Sequence, residues 1–144
     1  MRIAAAIAGA VFLLLSLLHV FWALGGRFGA AVVIPTSGVR GRAMLHPGAL
    51  ATVLVAVALL CAAAVVALRA GLVRAPRQLS PALVTAATWV LAAVMLARAI
   101  GDFRYVGFFK RVQGTPFARW DTMAYSPLCL ALAAICAWVA IGRR

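Results

Sequence analysis

Four long apolar runs occupy most of this 144-residue chain, and they constrain its fold more than any other feature. Each run holds about 17 to 22 residues, enough for an α-helix to cross a hydrocarbon core of about 30 Å at 1.5 Å per residue. The predicted spans are 3–24, 47–68, 81–100 and 125–141. The sequence therefore predicts an all-α integral membrane protein, a four-helix bundle that forms one domain over residues 1–144.

Composition and charge support a membrane protein and exclude an ordinary soluble domain. Hydrophobic residues make up 67% of the chain and charged residues 11%, whereas a soluble domain has about 25% charged residues. The net charge is +12, from 14 Lys and Arg against 2 acidic residues. Because the basic residues are spread over loops and tails, we expect anionic lipid headgroups as partners and no nucleic acid.

The loops between the runs predict the topology of the bundle. Residues 25–46 and 101–124 form two long loops that must share one side, while residues 69–80 and both termini share the other. Basic residues are slightly more numerous in the long loops, but those on the terminal side have no acidic neighbours in the sequence. We therefore expect the termini to be cytoplasmic.

Almost all polar side chains suited to chemistry are predicted at the long-loop end of the bundle. An apolar pocket that opens between the first, second and fourth helices under the 101–124 loop would take a lipid-like or small amphipathic ligand there. Its predicted lining residues are His19, Trp22, Arg98, Asp102, Asp121 and Tyr125. In the alternative interpretation, these groups only satisfy one another at the membrane interface.

Charged residues near the third helix predict ion pairing. Arg98 and Asp102 are spaced i, i+4, so they can meet on one helix face or hold an anionic group through Arg98 or Arg104. One of the two carboxylates, Asp102 or Asp121, is expected to pair with an arginine. The candidate arginines are Arg98, Arg104 and Arg119. The aromatic residues of the same loop are expected to fold back onto the bundle.

Two histidines offer a weaker hypothesis of a cofactor site. His19 and His46 lie at the same end of two helices, as in bundles that bind metal or haem, but no HxxxH motif or glutamate accompanies them. The alternative is that His19 bonds within the bundle and His46 caps the second helix, so no metal site is predicted. His19 is the best candidate for proton transfer, because its unperturbed pKa lies near neutral pH.

Several segments of the chain form a recognisable pattern: 18–26, Pro35, 101–110, Asp121 and 125–129. Together they resemble a family of small bacterial four-helix membrane proteins of unknown function. The resemblance implies a bacterial membrane protein whose characteristic residues lie on the side of the two long loops. It implies no substrate, cofactor or catalytic residue. We therefore expect a multi-pass protein of the bacterial inner (plasma) membrane.

Three functions stay open on the sequence, and whether the protein is an enzyme is undecided. The first is the binding of a lipid-like or small amphipathic ligand. The second is a membrane enzyme or redox accessory that uses His19 with Asp102 or Asp121, or a cofactor held by His19 and His46. The third is an accessory subunit of a larger membrane complex, and a homo-oligomer is also compatible with four short helices. The phosphate-binding, hydrolase and zinc-protease motifs are absent from the sequence.

Overall fold

The computed structural model of the protein describes residues 1–33, 36–37, 42–43 and 48–142. Within these residues the regular secondary structure is helical apart from one short antiparallel pair of strands, in which Thr36 lies opposite Ala43. The elements are α1 (Arg2–Ala23), α2 (Ala30–Val33), β1 (Thr36–Ser37), β2 (Arg42–Ala43), α3 (Ala49–Arg69), α4 (Pro81–Ile100), α5 (Pro116–Trp120), a π-helical turn (Asp121–Tyr125) and α6 (Ser126–Ile141).

Four helical stretches are long and apolar enough to span a membrane. They are α1, α3, α4 and the continuous stretch Pro116–Ile141 that α5, the π-helical turn and α6 form together. Their outer faces expose large apolar side chains such as Leu14, Leu54 and Val90. These are the faces that lipid covers in a multi-pass membrane protein. The prediction of a four-helix membrane bundle with two long loops at one end is confirmed.

The bundle is built from two helical hairpins. α1 packs along α3 and α4 packs along α6, while contacts of α3 with α4 and of α1 with α6 join the hairpins. The common core contains Phe12, Val66 and Val139 together with alanines such as Ala5 and Ala8. Small side chains at these contacts let the helix backbones approach closely, which supplies packing energy where lipid gives no hydrophobic driving force.

The last span begins earlier than the predicted residue 125. Thr115 caps α5, because its Oγ1 accepts the N–H of Ala118 at 3.0 Å, and Pro116 suits the first helical position. The helix then continues through the π-helical turn into α6. Pro127 has no N–H, and its ring conflicts with the carbonyl four residues earlier, that of Met123. A π-helical turn accommodates such a break without ending the helix.

The other predicted limits lie close to those observed. α4 covers the residues predicted for it, and α1 lies one residue earlier at both ends than the predicted 3–24. α3 begins at Ala49 after Gly48, so the predicted start at residue 47 lies outside the described residues.

The two long loops pack together at one end of the bundle. α2 from the first loop contacts α5, and the Tyr125 hydroxyl donates to the carbonyl of Val32 at 3.4 Å. These contacts place the described parts of both loops over the same helix ends. They form the setting of the candidate site.

Candidate functional site

The centre of this end is the carboxylate of Asp121, which is fully buried. Its Oδ1 accepts from Arg98 Nη2 at 2.9 Å, and its Oδ2 accepts from Lys110 Nζ at 3.0 Å and from the Gly107 N–H at 2.8 Å. The predicted pairing of a carboxylate with one of three arginines is confirmed for Asp121 and Arg98. We call Arg98, Lys110 and Asp121 the ion network. It ties the loop after α4 to the start of the last span.

Lys110 is the member of the ion network that sequence reasoning missed. It is only 5% exposed, and besides Asp121 its ammonium donates to the Gly107 carbonyl at 2.9 Å and to Thr122 Oγ1 at 2.6 Å. A lysine ammonium has three N–H groups, and these partners use all three. Lys110 therefore positions the loop and adds positive charge, but it has no free proton to offer a ligand.

Two glycines allow the loop to turn back sharply onto the bundle. Gly101 and Gly107 have φ values of +93° and +87°, a region that side chains with a Cβ disfavour. A Cβ on Gly101 would overlap the carbonyl of Val106, and one on Gly107 would overlap the carbonyl of Ile100. This close approach of backbone to backbone directs the Gly107 N–H at Asp121.

Asp102 does not pair with Arg98, contrary to the prediction from their i, i+4 spacing. Its Oδ1 accepts the backbone N–H groups of Arg104, Tyr105 and Val106 at 2.9, 2.7 and 2.9 Å. The spacing misleads because α4 ends at Ile100, so residue 102 no longer lies on the helix. Desolvation raises the pKa of Asp102, but the backbone N–H bonds together outweigh it and lower the pKa below its usual value.

His19 and Trp22 form a separate pair on α1. His19 Nδ1 lies 2.8 Å from the Leu15 carbonyl, which can only accept, so Nδ1 carries the proton. The two rings meet edge to face with centroids 5.0 Å apart, and Trp22 Nε1 donates to the Phe28 carbonyl at 2.8 Å. Within the described residues, no hydrogen bond or ion pair joins this pair to the ion network.

The six predicted lining residues thus fall into groups, and their role toward a ligand stays a prediction. Arg98 and Asp121 are bonded, Tyr125 follows within the same turn, Asp102 shapes the loop, and His19 and Trp22 bond elsewhere. His46 lies outside the described residues, so its pairing with His19 stays a prediction too. In the part of the chain that the structure describes, no group of three or more His, Cys, Asp or Glu side chains could hold a metal ion.

Two adjoining concave surfaces lie on α5 and the loop before it, and none of the six predicted residues lines them. Their volumes are about 330 and 360 Å³. The first is lined by Phe108, Lys110, Gln113, Gly114, Ala118, Arg119, Thr122 and Met123. The second is lined by Gly114, Pro116, Arg119, Trp120 and Met123. The Thr115–Pro116 pair, which repeats the pattern of Ser80–Pro81, could have predicted the helical turn that carries them.

Arg119 is the polar side chain that both concave surfaces share. It is exposed, and its guanidinium has no hydrogen-bond or ion-pair partner among the described residues. Around it stand the partly exposed apolar side chains of Phe108, Trp120 and Met123. The surface therefore combines one available cation with apolar walls. We call it the Arg119 surface.

These features define a class of small four-helix membrane-type bundles with one end closed by a buried ion network. The chain belongs to the family described as "Protein of unknown function (DUF3995)", whose sequence profile matches residues 12–136. The match covers both long loops and confirms the resemblance to a family without an established activity. No curated protein and no solved structure matched the chain.

Proposed function

We propose that this protein is a multi-pass protein of the bacterial inner membrane that binds an amphipathic ligand with an anionic headgroup on the Arg119 surface. The observation that carries the proposal is the guanidinium of Arg119, which has no partner among the described residues and lies between apolar walls at the start of a helix long and apolar enough to span a membrane. The ligand class is that predicted from the sequence, but its contacts move from His19 and Asp102 to Arg119 and its neighbours.

The apolar walls suit the acyl part of such a ligand. Trp120 and Met123 are 52% and 75% exposed and belong to the first turns of the last span. Tryptophan favours the boundary between headgroups and hydrocarbon, so this region would lie at that depth. An acyl chain would run along Met123 and Trp120 while its headgroup reaches Arg119.

The charge of the site favours an anion. Arg119 can donate two parallel hydrogen bonds to a phosphate or carboxylate. Beneath it, the ion network sets two cations against one carboxylate and so keeps a positive charge. Gln113 lines the same concave surface and adds a neutral donor and acceptor.

The ion network also fixes the shape of the surface before a ligand arrives. Lys110 and Thr122 line the concave wall and bond directly to each other, so that part of the wall has little freedom left to lose. A preorganised surface binds more tightly because less conformational entropy is lost on binding.

Lipid retained during gentle extraction tests the proposal. Native mass spectrometry should detect an anionic lipid on the wild-type protein, and Arg119→Gln should reduce its occupancy by roughly tenfold, as the loss of a charge-assisted bond predicts. Arg111→Gln is the matched control, because Arg111 is exposed on the same loop but lines neither concave surface. Equal occupancy in the two variants would contradict the proposal.

The other two functions have less support. A redox or proton-transfer role for His19 would have to rely on Nε2 alone, since Nδ1 is bonded to the Leu15 carbonyl. An accessory role would use the exposed apolar helix faces, but lipid covers such faces equally well. We keep the expectation that the termini are cytoplasmic, which places the Arg119 surface at the outer leaflet.

A further inference from the structure

A buried arginine lies at the opposite end of the bundle, far from both concave surfaces in the topology. Arg69 is the last residue of α3 and is only 6% exposed. Its Nη2 donates to the carbonyl of Ala140 at 2.8 Å and also to that of Gly142. Its Nε and Nη1 are buried and have no hydrogen-bond partner among residues 1–33, 36–37, 42–43 and 48–142.

Two helix ends explain only part of this arrangement. α3 and α6 both finish beside Arg69, and the partial negative charge of a helix C-terminus favours a cation. Yet these carbonyls engage one of the three guanidinium nitrogens. Buried N–H groups without an acceptor are rare in native proteins and call for a further partner.

The chain has no acidic side chain to supply that partner. Its 2 acidic residues, Asp102 and Asp121, both belong to the other end. The terminal end instead contains a second guanidinium, that of Arg2. Its Nη2 donates to the carbonyl of Gly71 at 2.9 Å, and Gly71 follows Arg69 by two residues. A pair of arginines at a membrane surface without an acidic side chain matches the chemistry of a phosphate site.

We propose that Arg69, assisted by Arg2, binds the phosphate of an anionic lipid in the leaflet next to the terminal end. The unpartnered Nε and Nη1 of Arg69 would donate to its oxygens. Gly142, whose carbonyl accepts from Arg69, lies against the thioether of Met1, and a movement of this flexible side chain would admit the phosphate. This site goes beyond the proposed function, which concerns the other end and other residues.

Counting bound lipids by native mass spectrometry separates the two sites. Protein extracted in mild detergent and titrated with phosphatidylglycerol should carry two tightly held lipids. Arg69→Lys keeps a positive charge beside the helix ends but lacks the Nε and Nη1 donors, so it should lose one of the two lipids. Arg119→Gln should lose the other, and the double variant should hold none. Arg74→Lys is the matched control, an exposed arginine of the adjacent loop, and should keep both.

The outcomes distinguish the two proposals from each other. If Arg69→Lys in the Arg119→Gln background still holds one lipid, the Arg69 site is wrong. If Arg119→Gln keeps both lipids while Arg69→Lys loses one, the proposed function is wrong and the Arg69 site stands. Phosphatidylcholine should not replace phosphatidylglycerol, and equal retention of both would overturn the anionic specificity.

Two further experiments identify which group accepts the hydrogen bonds of Arg69. Inorganic phosphate added to lipid-free protein should raise the melting temperature of Arg119→Gln and not of the double variant Arg69→Lys/Arg119→Gln, which would support phosphate chemistry without a lipid tail. A chain extended beyond Arg144 moves any C-terminal carboxylate away. If that extension alone abolishes the difference in melting temperature between wild type and Arg69→Lys, the acceptor is the chain's own carboxylate and the lipid site is overturned.

Discussion

The two ends of the bundle bury cations in different ways. At the long-loop end, Asp121 faces both Arg98 and Lys110, and Lys110 has a partner for every proton. At the terminal end, Arg69 has only helix carbonyls, and two of its nitrogens are unpartnered within the described residues. Asp121 gives both cations of the long-loop end a counter-ion from the same chain, although Arg98 Nη1 is buried without a hydrogen-bond partner among the described residues. The other end depends on what surrounds it.

This difference predicts different responses to perturbation. The stability of the long-loop end should depend mainly on substitutions inside the ion network. The stability of the terminal end should depend on whether anionic lipid is present. The predictions below test the first half of this comparison, from the largest effect to the smallest.

The largest effect is expected from Asp121→Asn. It would leave Lys110 buried without a counter-ion, and breaking a buried ion pair by removing one partner costs about 3–5 kcal/mol. The free energy of unfolding in mixed micelles, followed by circular dichroism, should fall by an amount in that range. Asp102→Asn is the control, because Asp102 is exposed and accepts only backbone N–H groups. Similar losses for the two variants would refute a central role for Asp121.

Gly107→Ala should be the next most damaging change. The residue has a positive φ, and a Cβ there would overlap the Ile100 carbonyl. Strained backbone of this kind costs of order 1–3 kcal/mol, and the displaced Gly107 N–H would also leave Asp121. Gly114→Ala gives a matched control, since Gly114 has a φ of +80° but open space around its Cα. Thermal unfolding that ranks Gly114→Ala as the more harmful would contradict the close-approach argument.

A smaller loss is expected when the cap of α5 is removed. Thr115→Ala deletes the acceptor of the Ala118 N–H, a change that typically costs about 1 kcal/mol. Thr115→Ser keeps the hydroxyl and should retain most of the stability. Because α5 carries Arg119, Thr115→Ala should also weaken lipid retention more than Thr115→Ser does. Identical unfolding curves for the two variants would show that the cap adds nothing.

The apolar runs predict the helices well because burial in lipid depends on local composition over about 20 residues. The partner of Arg98 could not be predicted this way. Asp102 is nearer in sequence, but Gly101 ends α4 and the loop brings in Asp121 from 23 residues away. Lys110 and Arg69 were missed for a related reason. A basic residue beside an apolar run usually predicts an exposed interfacial anchor, and only tertiary packing buries these two.

The smallest predicted effect is the pH dependence that Asp102 contributes to the stability of the protein. The folded pKa of this carboxyl lies below its usual value of 3.8, because backbone N–H groups stabilise the charged form. A lowered pKa gives stability that is fully present above the unfolded pKa and is lost as the pH falls through the folded one. The stability difference between wild type and Asp102→Asn should therefore be constant from pH 7 to about pH 5 and should shrink below about pH 4. Asn keeps a neutral oxygen acceptor, so the difference in stability is small. Hydrogen exchange of the Arg104, Tyr105 and Val106 amides is the most direct measurement of it. A difference that grows on acidification would mean that these amides do not stabilise the carboxylate.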